Sequence, residues 1–97
     1  MAEKINVEDY ARRRQVIPKG VGIEYELRVN KDQIINTSKR FITANEILTL
    51  AGKNQNQTQL CADYGNGRIV PVANNETIDL TQGVIKFITT PLQAVNG

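Results

Sequence analysis

The sequence contains very few side chains of the kinds that perform catalysis or bind metal ions. It has no histidine and a single cysteine, Cys61, among its 97 residues. Histidine is the usual general base near neutral pH and the usual nitrogen ligand of zinc. Because no histidine is present to activate Cys61, a packing role is favoured over a nucleophilic role for this thiol. We therefore expect no enzymatic activity, no metal site and no cofactor.

The basic residues near the N-terminus are the next candidates for chemistry. Arg12–Arg14, together with Lys4 and Lys19, could contact phosphate groups, but acidic residues flank them and the whole chain carries a net charge of only +2. A solvated surface is favoured over a nucleic-acid site for so small a cluster. Gly20–Gly22 precedes a predicted strand, whereas a phosphate-binding glycine loop follows a strand and opens a helix. We expect no nucleic-acid partner.

The sequence also bears on the compartment. No apolar run is long enough to span a membrane, and the N-terminus lacks the apolar segment of a signal peptide. One cysteine cannot form an internal disulfide, which fits a reducing compartment. We expect a cytoplasmic protein without a membrane partner.

The length allows one domain, since a second hydrophobic core does not fit beside the first. Residues 1–20 alternate acidic and basic side chains without a sustained apolar period, which predicts a flexible, mostly disordered arm. Residues 21–91 carry the periodic patterns of a folded domain. Residues 92–97 have no period and are expected to form a mobile tail.

The pattern within the folded part predicts a hairpin followed by a helix. Apolar and charged residues alternate strictly over 23–29, which is typical of a strand with one buried face, and residues 33–37 form the returning strand. Thr43 and Glu46 then match a capping box. Behind that box, an apolar stripe at helical spacing runs to Ala51.

A second hairpin and a final strand follow. Residues 58–64 and 69–72 are predicted strands on either side of a Gly-Asn-Gly turn, and Pro71 favours an edge position for the second of them. Residues 84–89 form the last strand. This order predicts an α+β fold, the ubiquitin-like β-grasp, with the last strand beside the first. The expected core residues are Ile23, Leu27, Ile47, Leu50, Leu60, Ile78, Ile85 and Phe87.

Four short segments occur in the order of a known family's motifs. They are FITANEIL at 41–48, LAG at 50–52, ETIDL at 76–80 and GVIKF at 83–87. These segments resemble the bacterial multiubiquitin-type family of ubiquitin-like proteins, which has a Thr-Gly-x-Glu-Leu-Leu run, an Ala-Gly helix end, a Glu-Thr-Val-Asp-Leu segment and a closing Gly-Val-x-x-Phe strand. The chain departs from this pattern at Ala44, where glycine is common, and in carrying one copy instead of tandem repeats.

The resemblance implies a protein modifier that is a substrate of catalysis. An E1-like enzyme would adenylate the carboxylate of Gly97, and an E2-like enzyme would pass it to target proteins. A processing or deconjugating peptidase would complete the pathway, in bacterial operons linked to defence against phage. The tail residues Thr90, Leu92, Val95 and Asn96 would enter the adenylation channel, where glycine permits close backbone approach. Ubiquitin ends in Gly-Gly, and Asn96 departs from that.

Ubiquitin-like folds also bind partners through apolar residues on the third and fifth strands of the fold. Alternation places Cys61 and Ile88 on the sheet face away from the helix, with Gln59 and Lys86 beside them. An exposed apolar patch of this kind is typical of an interaction site. A register shifted by one residue would instead bury both apolar side chains.

Three functions therefore remain open from the sequence. The first is a conjugated modifier, and the second is a β-grasp module that binds partners through its sheet without being conjugated. The third is a sulfur carrier, in which the terminal carboxylate becomes a thiocarboxylate. The lack of a Gly-Gly end and the presence of a long N-terminal arm count against the third.

Overall fold

Ten elements of secondary structure follow one another along residues 3–92, the part of the chain that the computed structural model describes. None of the described helices is long and apolar enough to cross a membrane. The elements are β1 (Glu3–Asn6), α1 (Val7–Arg12), β2 (Ile23–Val29), β3 (Gln33–Thr37), β4 (Phe41–Thr43), α2 (Ala44–Leu50), β5 (Thr58–Asp63), β6 (Ile69–Val72), β7 (Thr77–Asp79) and β8 (Lys86–Pro91).

Six of the strands form the main sheet. Its order is β1-β2-β8-β5-β6, and β3 pairs with β2, while β4 and β7 form a separate two-stranded ribbon. The last strand, β8, lies parallel to β2 and antiparallel to β5. Helix α2 packs on one face of this sheet, because its apolar residues share a buried cluster with those of β2, β5 and β8. The predicted α+β β-grasp is confirmed.

Strand β2 carries three neighbours on two edges. Tyr25 and Glu26 pair with both β1 and β3, so these two strands flank β2 on opposite edges. Val29 pairs with Gln33 of β3 and with Phe87 of β8, so β8 shares an edge with β1. The N-terminal strand thus occupies the first half of that edge, and the last strand meets only its end.

The prediction of a disordered arm at residues 1–20 is wrong for the described part of that segment. Ile5, Val7 and Ile17 are almost completely buried, and β1 pairs with β2 over four residues. The Asn6 side chain caps α1 by accepting a hydrogen bond from the Asp9 amide at 2.9 Å. Burial of three side chains and the pairing of β1 with β2 offset the entropy that the segment loses on ordering. The sequence did not reveal this stabilisation, because the segment contains few apolar residues.

Helix α2 has the predicted start and stop. The Thr43 hydroxyl accepts a hydrogen bond from the Glu46 amide, and the Glu46 carboxylate accepts one from the Thr43 amide, each at 3.2 Å. Gly52 ends the helix with φ of +72°, and the Lys53 amide then donates to the Leu48 carbonyl at 2.8 Å. Glycine suits this left-handed position because it has no Cβ.

Two of the expected core residues lie outside the core. Leu50 is 48% exposed because it lies about 110° around the α2 axis from the centre of the buried stripe. Ile85 is half-buried because β8 begins only at Lys86, two residues after the predicted start, and Val84 is buried in its place. Ile85 instead reaches the turn at Gly65, where a Cβ would approach its Cδ1 to 2.8 Å.

Candidate interaction surface

Strands β5 and β8 turn one side toward α2 and the other away from it. Leu60, Ala62 and Phe87 are buried on the side that faces the helix. Cys61 and Ile88 alternate with them, pair directly with each other across the two strands, and are only partly buried. Paired residues in an antiparallel ladder point to the same face. We call the side that carries Cys61 and Ile88 the outer face of the sheet.

The apolar part of the outer face extends onto the edge strand β6. Pro71 lies opposite Cys61, and Ile69 lies two pairs further along the ladder, opposite Asp63 and on the same face. Pro71 is exposed and Ile69 is 49% exposed. Cys61, Ile69, Pro71 and Ile88 together form what we call the outer patch. Ile69 and Pro71 were missed in the sequence, although counting the hairpin register across the Gly-Asn-Gly turn would have aligned them.

The two polar residues expected beside this patch have different roles. Gln59 uses its side-chain amide to donate hydrogen bonds to the carbonyls of Leu60 and Val72, each at 2.9 Å, and so fastens β6 to β5. Lys86 lies opposite Asp63 and forms no ion pair within residues 3–92. Its ammonium group is therefore a free positive charge at the rim of the outer patch.

The expected tail begins inside the sheet. Thr90 and Pro91 belong to β8 and pair with Gln59 and Thr58, so the strand ends two residues later than the sequence predicted. The Leu92 amide then donates to the Gln57 carbonyl at 2.9 Å, and the Leu92 side chain is 46% exposed. Val95, Asn96 and Gly97, the remaining predicted site residues, lie outside the described residues.

A bidentate ion pair lies away from this surface. Arg40 donates two hydrogen bonds to the Asp79 carboxylate, at 3.1 and 2.9 Å, and the pKa of Asp79 is held well below its usual range chiefly by this contact. The pair joins the residue before β4 to the end of β7. Its partners satisfy each other, which indicates a structural role in closing the ribbon beside α2.

The side chains of the outer face are suited to noncovalent binding. No group of three or more His, Cys, Asp or Glu side chains lies close enough to hold a metal ion in the part of the chain that is described. Cys61 has Ile88 and Pro71 as its cross-strand neighbours. A patch of apolar side chains with Lys86 at its rim is suited to binding another protein.

Comparison with known proteins identifies the family. A family model described as multiubiquitin matches residues 25–91, about two thirds of the chain. No curated protein and no solved structure gives a significant match. The matched segment runs from within β2 to the end of β8 and therefore includes α2 and the β5–β8 pair. The chain belongs to the multiubiquitin family of ubiquitin-like proteins.

Proposed function

We propose that this protein is a ubiquitin-like modifier that is conjugated to target proteins through the carboxylate of Gly97. The observation that supports this most directly is the family match over residues 25–91, which contains the complete β2–β8 arrangement of the fold except for the first two residues of β2. The match stops at the end of β8, and Gly97 lies beyond it in the sequence. A modifier presents its carboxylate outside the folded domain, because the active site that activates the carboxylate cannot admit the domain.

The proposed chemistry is one adenylation step followed by three acyl transfers. A carboxylate oxygen of Gly97 attacks the α-phosphorus of ATP in an E1-like enzyme, and pyrophosphate leaves. A thiolate of that enzyme then attacks the acyl carbon, forming a thioester and releasing AMP. An E2-like enzyme takes over the acyl group and delivers it to an amine or hydroxyl of a target protein. The modifier itself supplies only the carboxylate and the binding surface.

The outer patch supports a role in recognition by these enzymes. Cys61 and Ile88 lie in central strands of the sheet, whereas Ile69 and Pro71 lie at its edge, so the patch offers a continuous apolar strip. Lys86 adds a cation next to it that has no ion-pair partner among residues 3–92. We propose that the E1-like enzyme docks on this strip and thereby holds the C-terminal segment in its active site. A bacterial cytoplasmic pathway with a processing peptidase, directed against phage, is part of this proposal and rests on the resemblance alone.

The test is activation in vitro. The purified chain is incubated with a candidate E1-like enzyme and ATP, and intact mass spectrometry measures the thioester. Gly97→Asp and deletion of Gly97 should both abolish it, because a terminal side chain blocks the close backbone approach that adenylation needs. Gln93→Glu is the matched control, since it also adds one negative charge to the same segment and should be activated like the parent. Equal activation of the Gly97 deletion would overturn the proposal.

A second function, binding without conjugation, is favoured by the outer patch itself. It predicts a partner that binds the parent and the Gly97 deletion equally and loses affinity for patch variants. Measuring the affinity of both proteins for the same partner separates the two functions.

A further inference from the structure

A cleft lies between the end of α1 and the turn that joins β5 to β6. It has a volume of about 250 Å³. Arg12 and Arg14 line it from the α1 side, and Asn66 lines it from the turn. Its other lining residues are Ala11, Tyr64, Gly65 and Ile85. Among residues 3–92 no acidic side chain lines this cleft, so the two charged groups at its surface are both positive.

Arg14 has a backbone conformation that is unfavourable for an arginine. It follows α1 with φ of +55°, in the left-handed region. The Arg14 amide donates to the Ala11 carbonyl at 3.1 Å, and the Gln15 amide donates to the Tyr10 carbonyl at 3.0 Å. Glycine, or sometimes asparagine, usually occupies the left-handed position of this helix ending, because a Cβ there approaches the following carbonyl oxygen. Backbone strain of this kind is concentrated at functional sites, which makes Arg14 a candidate binding residue.

The positive charge on the α1 side is not cancelled within the described part of the chain. Arg14 forms no ion pair among residues 3–92. Arg12 is held by the Glu8 carboxylate, through Nε and Nη2 at 2.9 Å each. The same carboxylate lies 2.9 Å from Nε of Arg28, so two guanidinium groups share one negative charge. These three arginines and one glutamate together have a net charge of +2.

The turn side of the cleft adds to this positive charge. Arg68 lies over the Tyr64 ring, with its guanidinium carbon 5.3 Å from the ring centroid, and forms no ion pair in the part of the chain that is described. Asp63 precedes the turn, but Lys86 lies directly opposite it in the sheet and offsets its charge. The exposed side chain of Asn66 contributes an uncharged amide donor.

We propose that this cleft binds a phosphate group. A phosphate monoester carries about two negative charges at neutral pH, which matches the net charge on the α1 side. Guanidinium groups donate pairs of N–H bonds to phosphate oxygens, and such charge-assisted hydrogen bonds are stronger than neutral ones. The apolar part of the lining can contact the carbon atoms next to the phosphate, so a monoester should bind more tightly than inorganic phosphate.

The proposal is independent of conjugation at Gly97, because no lining residue of the cleft lies beyond Ile85. Arg12 and Arg14 precede residues 25–91, the segment that the family model matches, whereas Asn66 lies within it. The site therefore depends on the packing of the N-terminal segment against the family's fold.

The probes are inorganic phosphate and O-phosphoserine, titrated into the full chain in a phosphate-free buffer and followed by amide chemical shifts. We expect saturable binding with a Kd on the order of 1 mM, and shifts concentrated in residues 11–15 and 64–67. Succinate is the control ligand, since it carries two negative charges on separate planar groups and should bind about fivefold more weakly or worse. Tighter binding of phosphoserine than of inorganic phosphate assigns the cleft to a phosphorylated molecule, and the opposite order assigns it to free phosphate.

The sharpest variant is Arg14→Gly. It removes the guanidinium group and places glycine at the left-handed position, so it should weaken phosphate binding about tenfold or more without lowering the thermal unfolding midpoint. Asn66→Asp is a second variant, because aspartate tolerates the φ of +55° at this position and places a negative charge at the cleft. It should also weaken binding about tenfold or more.

Arg13→Ala is the matched control. It removes the same charge one residue away, but Arg13 pairs with Asp9 at 3.2 Å and does not line the cleft, so the affinity should stay within about twofold of the parent. The proposal is overturned if neither phosphate ligand binds saturably, if succinate binds equally well, or if Arg14→Gly binds like the parent. An equal loss of affinity in Arg13→Ala, or shifts centred away from the cleft, would overturn it as well.

Discussion

The two faces of the same strands differ sharply in burial. On the inner face of β5 and β8, Leu60 and Phe87 are no more than 1% exposed and pack with α2 in one cluster. On the outer face, the next residues along each strand, Cys61 and Ile88, are only partly covered. One strand pair therefore supplies both the core and the candidate interaction surface. Substitutions on one face should change stability, and those on the other should change binding.

The apolar residues of the two faces differ in whether another element of the chain covers them. The inner face is covered by α2, and β1 adds Ile5 to the same cluster. The outer patch has no covering element within residues 3–92, and its apolar area remains accessible. Burial stabilises roughly in proportion to the apolar area removed from water. A partner that covers the outer patch would therefore gain binding free energy from the apolar area it buries.

The largest effect should come from the inner face. Phe87→Ala removes a side chain that is 1% exposed at the centre of the sheet and should lower the free energy of unfolding by about 3–5 kcal/mol. Urea unfolding followed by circular dichroism measures this loss. Because small domains have a total stability of about 5–15 kcal/mol, the variant should be close to unfolding at room temperature. Parent-like stability would mean that the inner face is not the core.

The next effect tests whether the N-terminal segment is part of that core. Ile5→Ala should cost about 2–4 kcal/mol, because Ile5 is 1% exposed and lies beside Tyr25 in the β1–β2 pair. Lys4→Ala is the control, since Lys4 is exposed and its 4.0 Å contact with Glu24 is a weak surface ion pair. If both variants unfold at the same urea concentration as the parent, the segment does not contribute to the core.

These two positions show what the sequence could and could not predict. Phe87 lies in a regular alternation, and its burial follows from local pattern alone. Ile5 lies among charged residues, and its burial depends on the free edge of β2, which no local pattern reveals. The same limit explains the late end of β8, where Thr90 pairs with Gln59 although Pro91 follows at once. Proline at the last position of a strand forfeits only a terminal hydrogen bond.

The residues of the candidate site also differ in how far the sequence predicts their positions. Cys61 and Ile88 were placed on one face by alternation, and they pair as an alternating register requires. Their neighbours Ile69 and Pro71 depend on how β6 aligns with β5, which follows from the register across the hairpin turn and not from the alternation within either strand.

An intermediate effect should appear on acidification. The carboxyl of Asp79 has a pKa depressed chiefly by Arg40, and that of Glu46 has a pKa depressed chiefly by Lys39. A carboxyl whose pKa is lower in the folded state stabilises the fold at pH values above its unfolded-state pKa, which is near 4. This contribution is lost as the pH falls from about 5 through the folded-state pKa. The stability of the parent should therefore decline over this range.

The variant Asp79→Asn isolates one of these contributions. Near pH 7 it should be less stable than the parent by about 1–2 kcal/mol, because a partly buried Arg40 loses its charged acceptor. The difference in stability between the two proteins should narrow as the pH falls below about 4. At that pH the Asp79 carboxyl becomes protonated in the unfolded parent chain, and the parent loses the stabilisation that the charged carboxyl gives. Thermal unfolding at several pH values measures this. A constant difference down to pH 2 would show that the pair does not titrate as described.

The smallest effect on stability should come from the outer face, where the effect on binding should be large. Ile88→Asp should cost only about 1 kcal/mol of folding stability, because the side chain is partly exposed and the charge remains hydrated. The same charge in the middle of an apolar contact loses its hydration without gaining a partner, so affinity for the proposed E1-like partner should fall about tenfold or more. Ile34→Asp is the control, since Ile34 is on the outer face at β3, separated from Ile88 by β2. Calorimetric titration of the three proteins gives the affinities, and urea unfolding gives their stabilities.

Should Ile88→Asp unfold the domain while Ile34→Asp does not, Ile88 belongs to the core and the two faces of the strand pair do not divide stability from binding. Should both variants bind like the parent, the E1-like enzyme uses a different surface.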